Sequence, residues 1–446
     1  MNNQKYQKFT PEELLPAFKH ISRYWRSVTR FQPSDTDSAV GLPQPYIVPT
    51  DEVNHGFTYN EMYYWDSYFT ALGLYGTQQQ KLAFGMLQNM RNLIKRYGYI
   101  PNASRTYMLS RSQPPFLTSY ILDVYDAKRV KDKRWLKTMM KSAQKEYNNV
   151  WMSTKHPHSR NVFEGLSRYY DINYLHDLAE AESGWDMTSR FERKCLNYIP
   201  VDLNAQLFRY ERDFARSAEI RGKHREMNHW LEISEKRREA IDTYLWDSKR
   251  GFYFDYNFEK KQSSPIYSLA AFVPLWAGIA SNEQAAAVVG HLDKFEFAGG
   301  LSATAKLPEA TSDLPIQWAY PNGWAPLHIL TIYGLENYGY SLEAQRIARK
   351  WIRTCLNTFE RDGVFLEKYN VVEPTKEPVE GVYPNQTGFS WTNAAFYRLC
   401  QDFLQPDELP SIRANKSPQL VADEIATTAH QYVRRFTARV RRPFDF

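Results

Sequence analysis

One pattern constrains this chain more than any other: apolar residues recur at three- and four-residue steps in segment after segment. In 81–97, Leu82, Met86, Met90, Leu93 and Ile94 fall on one stripe of a helix. The same period runs through Leu203, Leu207 and Phe214 of 201–221, through Trp230, Ile233 and Ile241 of 224–246, and through 323–338, 341–359 and 388–404. Strand-like alternation is confined to short pieces such as GFYFDY at 251–256. A mainly α fold follows, with about eleven or twelve candidate helices joined by loops rich in Pro, Gly, Asn and aromatic residues. Long loops carrying the unusual residues fit helix pairs stacked in a ring better than a single bundle. A ring places the inner-helix ends and their loops around one central cavity.

No linker or low-complexity segment divides the chain before about residue 404. The expected division is an N-terminal helical extension over 1–42, a catalytic domain over 43–404, and a C-terminal connector with a basic helix over 405–446. That helix, 418–442, contains Arg434, Arg435, Arg439, Arg441 and Arg442. The whole chain is nearly charge-balanced, +6 over 446 residues, so a solvated helix face is favoured over a nucleic-acid surface. Cys195, Cys355 and Cys400 are far apart and in no C-x-x-C arrangement, which predicts buried thiols rather than a disulfide framework or a zinc site. The N-terminus has no basic start followed by an apolar run, and the apolar stretch Leu269–Ala280 is interrupted by Pro274 and falls short of the roughly 20 residues that span a bilayer. A cytoplasmic location without membrane contact is expected.

Several chemistries have no support: there is no G-x-x-x-x-G-K-[ST], no G-x-G-x-x-G after a strand, no H-E-x-x-H and no G-x-S-x-G. The pair His156/His158 sits in a polar loop without a nearby carboxylate and is not read as a metal site. What stands out is aromatic content, 15% of the chain, gathered in loops that mix Trp or Tyr with carboxylates, amides and arginines. These are YNEMYYWDSYF at 59–69, PNASRTYMLSRSQPP at 101–115, ESGWDMTSRF at 182–191, QWAYPNGWAP at 317–326, FLEKY at 365–369 and GFSWTN at 388–393. A sugar pocket needs this mixture, because hydroxyls take charged and amide partners while the apolar ring face takes an aromatic wall.

Glycoside hydrolysis ordinarily uses two carboxyl groups, one protonated and one ionised. Asp186, flanked by Gly184 and Trp185, has an apolar wall that would raise its pKa and is the candidate acid. Glu367, after the apolar run 364–366 and before Lys368 and Tyr369, is the candidate base.

At these residues the chain resembles the trehalases of glycoside hydrolase family 37, from about Pro43 to Cys400. The matching pieces, in the family's order, are LPQPYIVP, YYWDSYFTALGL, GYIPNASRTYMLSRSQPPF, SGWDMTSRF, IPVDLN, YLWD with GFYFDY, PNGWAP, LEKYN and TGFSWTN. The resemblance implies an (α/α)6 barrel and an inverting enzyme that cleaves α,α-trehalose to glucose without metal or organic cofactor. It implies Asp186 as general acid and Glu367 as general base. It further implies sugar contacts from Trp65, Asp66, Asn102, Arg111, Ser112, Gln113 and Gly184, with Trp318 as cavity wall.

Four departures accompany the resemblance. The family's Pro-Gly-Gly-Arg-Phe becomes His55-Gly56-Phe57-Thr58-Tyr59, putting Thr58 in place of an arginine. The Arg-Pro-Glu segment expected before SGWD is absent from Ile172–Ala181, the usual Gln-Trp-Asp ends in Ala319, and Val382 stands where a glutamate is expected. They fall on contacts to the second sugar. Two further readings therefore stand beside trehalose hydrolysis: an inverting hydrolase of another α-glucoside, and a catalytically silent sugar-binding homologue. The Pro374–Pro384 segment, with few glycines, is expected to be stiffer than a glycine-rich lid.

Overall fold

The computed structural model describes residues 8–411 except 52, 55–56, 128–130, 308–315 and 382, and at 53–54 and 57–58 only the backbone. The terminal basic helix expected at 418–442 and the departures at His55, Gly56 and Val382 lie outside the described residues, as does the side chain of Thr58. Thirteen α-helices are described: α1 (Pro11–Ser27), α2 (Tyr64–Leu72), α3 (Gln80–Tyr97), α4 (Leu117–Ala127), α5 (Lys133–Glu146), α6 (His176–Glu182), α7 (Val201–Ile220), α8 (His224–Tyr244), α9 (Val273–Ala277), α10 (Asn282–Val289), α11 (Ala325–Asn337), α12 (Ser341–Asp362) and α13 (Ser390–Phe403). The periodic segments of the sequence fall on α3, α7, α8, α11, α12 and α13. GFYFDY contributes two short strand pieces, at Phe252–Tyr253 and from Tyr256 onward.

Burial sorts twelve of these helices into two rings. Every residue of α2 and of α9 is buried, and α11 buries all but one of its thirteen. Such helices are apolar on every side because they have neighbours on every side. Helices α4, α7 and α13 join them as the inner ring, with α13 packed on α2, α7 on α4 and α9, and α11 on α9 and α13. Helices α3, α5, α8, α10, α12 and α1 keep one wet face and form the outer ring; α8, for example, buries Trp230, Leu231, Ser234, Arg237 and Ile241 and leaves its other faces wet. α1 starts on a capping box in which Thr10 and Glu13 satisfy each other's backbone N–H, with Pro11 at the first helical position. It lays Leu14, Phe18, Ile21, Tyr24 and Trp25 against the fold, next to α12 and α13. Glu408 reaches back from the expected connector to Arg349 at 2.9 Å and to the Phe9 N–H at 2.9 Å.

The connections alternate in length. From inner to outer helix they are short, at 73–79, 128–132, 221–223, 278–281 and 338–340; from outer to inner they are long, at 28–63, 98–116, 147–200, 245–272, 290–324 and 363–389. The long loops all precede inner-helix N-termini, so they gather at one end of the barrel. That end carries the partial positive charge of the aligned helix dipoles. The six loop motifs singled out in the sequence lie in these segments or in the first turns that follow them. Two short strands from the last two loops, β1 (Asn322–Trp324) and β2 (Lys368–Asn370), pair antiparallel with Trp324 opposite Lys368.

Candidate active site

Trp65 and Asp66 occupy the first turn of α2, where the Trp65 N–H donates to Gln113 Oε1 at 3.0 Å. α6 delivers the loop that follows it. Gly184 adopts φ +72°, and a Cβ there would lie 2.6 Å from Trp65 Cζ2, so both the backbone and the packing call for glycine. Trp185 then stacks on Trp318 at 5.6 Å, and Trp318 lies flat on Trp324 at 3.7 Å. Trp65 and Trp391 meet Trp318 at 5.7 and 6.2 Å, completing a five-tryptophan wall. Arg190 fixes the loop from below: its guanidinium sits 4.4 Å from the Trp185 ring and forms bidentate bonds to Asp202 and Asp255.

Asp186 is half-buried at the end of this loop, and its backbone oxygen accepts from Gln317 Nε2. Burial, then the charge of Glu367, push its pKa up to about 7, against the pull of Arg111 and Lys368. Asp66, also buried, is pushed up to about 8 by desolvation and by the charges of Glu367 and Asp186. Glu367 is almost fully buried; Lys368 Nζ donates to its Oε2 at 2.9 Å and the Tyr383 hydroxyl to its Oε1 at 3.2 Å. Burial foremost, and these same carboxylates, push the Tyr59 and Tyr383 hydroxyls far above their ordinary value, so both stay neutral donors. Asp66, Asp186 and Glu367 therefore lie near enough for their charges to act on one another.

The remaining sequence candidates divide. Arg111 reaches Asp171 Oδ2 at 3.2 Å, and its Nε is buried without an acceptor among the described residues, as is Trp318 Nε1. Asn102, Ser112 and Gln113 each make a bond within the protein: Asn102 Nδ2 donates to the Ser112 oxygen at 3.1 Å, Ser112 Oγ to the Ile100 oxygen at 2.7 Å, and Gln113 accepts from the Trp65 N–H. They hold the 98–116 loop in place around the pocket. Glu182 ties this loop to α6, accepting from the Ser112 N–H at 2.6 Å, the Tyr170 N–H at 2.7 Å and Arg160. Lys368, Tyr59, Tyr383 and Gln317 were not singled out from sequence, although all but Tyr383 fall in the aromatic loops recognised there. Segment 374–381 is anchored by the reciprocal bonds of Val379 with Asn322, at 2.7 and 2.9 Å. Among the described residues no group of three or more His, Cys, Asp or Glu is placed to hold a metal, and no helix is long and apolar enough to cross a membrane.

Fold and site together define an (α/α)6 barrel whose loop-built pocket combines a tryptophan wall with several carboxylates, a pocket chemistry suited to a sugar. The chain belongs to the trehalase family: the Trehalase family model matches residues 2–180 and 170–403. Among its relatives, the cytosolic neutral trehalase of Kluyveromyces lactis is 36% identical over 79% of this chain and 55% of its own length. That of Neurospora crassa is 33% identical over 79% of this chain and 57% of its own. The chain thus spans about half the length of the curated relatives it matches. In structure it is similar to the neutral trehalase of Saccharomyces cerevisiae, with a TM-score of 0.71 and 30% identity, covering 88% of this chain and 81% of that one. A mannosylglycerate hydrolase of Thermus thermophilus shares the fold at 18% identity, with a TM-score of 0.63 over 86% of this chain and 98% of the other.

Proposed function

We propose that this chain is an inverting glycosidase that cleaves the α,α-1,1 bond of trehalose, acting in the cytoplasm on a small disaccharide, with Asp186 as acid and Glu367 as base. The observation that carries the reading is the proximity, beside the cluster of five tryptophans, of a carboxyl group pushed up to about 7 and a second carboxylate paired with a lysine. In the reaction the bond from the anomeric carbon to the bridging oxygen breaks as Asp186 gives that oxygen its proton. Water forms the new bond from the opposite face and passes its proton to Glu367. Trp65, Asp66 and Arg111 bind the first glucose, with Trp318 behind Trp65, while Asn102, Ser112, Gln113 and Gly184 hold the loops that place them. Glucose release from trehalose tests the reading: the wild type turns over, and Asp186→Asn and Glu367→Gln each lose at least about a hundredfold. No release by wild type would overturn it.

A second reading has its own observation. Where the family's Arg-Pro-Glu contacts are expected, this chain presents Ile172, Tyr174 and Leu175, all largely exposed, and the nearby Glu180 and Glu182 are spent on the Thr188 N–H and on Arg160. A site lacking polar partners for a second sugar discriminates less against other leaving groups, since each missing buried partner is worth about 1–3 kcal/mol. Rates on kojibiose, sucrose and glucosylglycerate within about tenfold of that on trehalose would favour this broader α-glucosidase.

A further inference from the structure

Glu367 and Lys368 are neighbours in sequence, and neighbours in an extended strand send their side chains to opposite faces. Here they converge. Glu367 occupies a bend between the bridge Leu366↔Thr387 and β2, and the bend breaks the alternation. Lys368 is completely buried, and its ion pair with Glu367 is its only one among the described residues. Its ammonium lies 5.1 Å from the Trp324 ring and 5.3 Å from the Tyr383 ring. A buried ammonium is costly to the fold unless it is paired, and this one is paired with the proposed base rather than with a structural carboxylate.

The pocket has a sorting problem. Asp66 and Asp186 are each disfavoured as anions by burial and by the charge of Glu367 beside them. The chemistry requires one of the three neutral and another ionised. Facing Glu367 are Lys368 and Tyr383 as donors, Asp66 and Asp186 as like charges, and Tyr59 as a neutral hydroxyl. Among the described residues only Lys368 contributes positive charge in direct contact. Resting on the reading of Glu367 as base, we propose that Lys368 is the positioning residue that assigns the negative charge to Glu367, with Tyr383 holding the second oxygen so that a free lone pair meets the water. The ammonium, completely buried, acts through the carboxylate.

α-Glucosyl fluoride isolates this half of the reaction, because fluoride leaves without a proton from Asp186. Lys368→Met is expected to lower kcat on it by about a hundredfold with KM within about threefold. The acid limb of kcat moves up by about one pH unit or more, since an unassisted Glu367 is protonated at higher pH. Lys368→Arg restores at least about tenfold and returns the limb, and Tyr383→Phe moves it in the same direction by less. A limb at the wild-type pH in active Lys368→Met, with loss of activity tracking only loss of fold, overturns the proposal. If Lys368→Met does not fold, a wild-type limb in Tyr383→Phe overturns it. Glu367→Gln separates the two layers: activity retained on the fluoride removes the base assignment and this proposal with it. An inactive Glu367→Gln beside an unshifted Lys368→Met removes the lysine alone.

Discussion

Asp186 stands between burial and the Glu367 charge on one side and Arg111 and Lys368 on the other, and the first pair prevails. A folded-state pKa of about 7, raised from an ordinary carboxylate, has two consequences with a definite sign. The proton is available to a leaving group below about pH 7 and is lost above it, so kcat for trehalose falls as pH rises through that value. Stability follows the same direction. The contribution of Asp186 is fully present below the ordinary carboxylate range and is lost as pH rises from there through about 7, because over that span the unfolded chain ionises while the folded one keeps its proton. Asp186→Asn should therefore stabilise the protein at pH 8 by on the order of 1 kcal/mol, after allowance for partial exposure, and by less at pH 5. Urea denaturation at the two pH values checks this. Gly184→Ala acts through geometry: a left-handed alanine costs about 1–2 kcal/mol and the Trp65 overlap about as much again. A loss near 3 kcal/mol with a fall in kcat/KM is expected, read by urea titration and kinetics.

Among the elements, legibility depended on how many faces a segment buries. The one-sided outer helices α3, α8 and α12 carry an apolar stripe and are readable from period alone, and the inner helix α7, though buried along most of its length, is long enough for its period to show. α2 and α9 are buried on every face and too short for a stripe, so their places rest on tertiary packing. Asp186 and Glu367 could be singled out because Trp185 and the 364–366 run flank them in sequence. Lys368 could not, because alternation places it opposite Glu367 and only the bend brings it back. Asn102, Ser112 and Gln113 are sugar-ligand types whose side chains each also bond a protein atom of the loop, a role their residue type alone does not reveal. Arg190 joins the Asp186 loop to α7 through Asp202. Arg190→Met strands two buried carboxylates and is expected to cost about 3–5 kcal/mol, as measured by chemical denaturation, with activity falling more steeply than stability because the loop is released.

At the scale of the molecule, the alternation of short and long connections explains why the aromatic loops and the candidate carboxylates gather at one end of the barrel. It also gives α1 a definite task as the outer helix beside α12 and α13. Its five large buried side chains, Leu14, Phe18, Ile21, Tyr24 and Trp25, are each worth about 1.5–3 kcal/mol. Their sum matches the roughly 5–15 kcal/mol that holds a whole protein folded. A chain starting at residue 29 should show no cooperative melt by circular dichroism. The ring of paired helices was legible from periodicity and loop length; which loop residues face the pocket was not, because that is fixed by bends and internal hydrogen bonds. The central claim is single displacement at Asp186 and Glu367, and proton NMR of freshly cleaved trehalose tests it most directly. One α-glucose and one newly formed β-glucose per molecule, with both Asp186→Asn and Glu367→Gln slowed at least about a hundredfold, is the predicted result. Two α-glucoses, or a variant that cleaves at the wild-type rate, would contradict it.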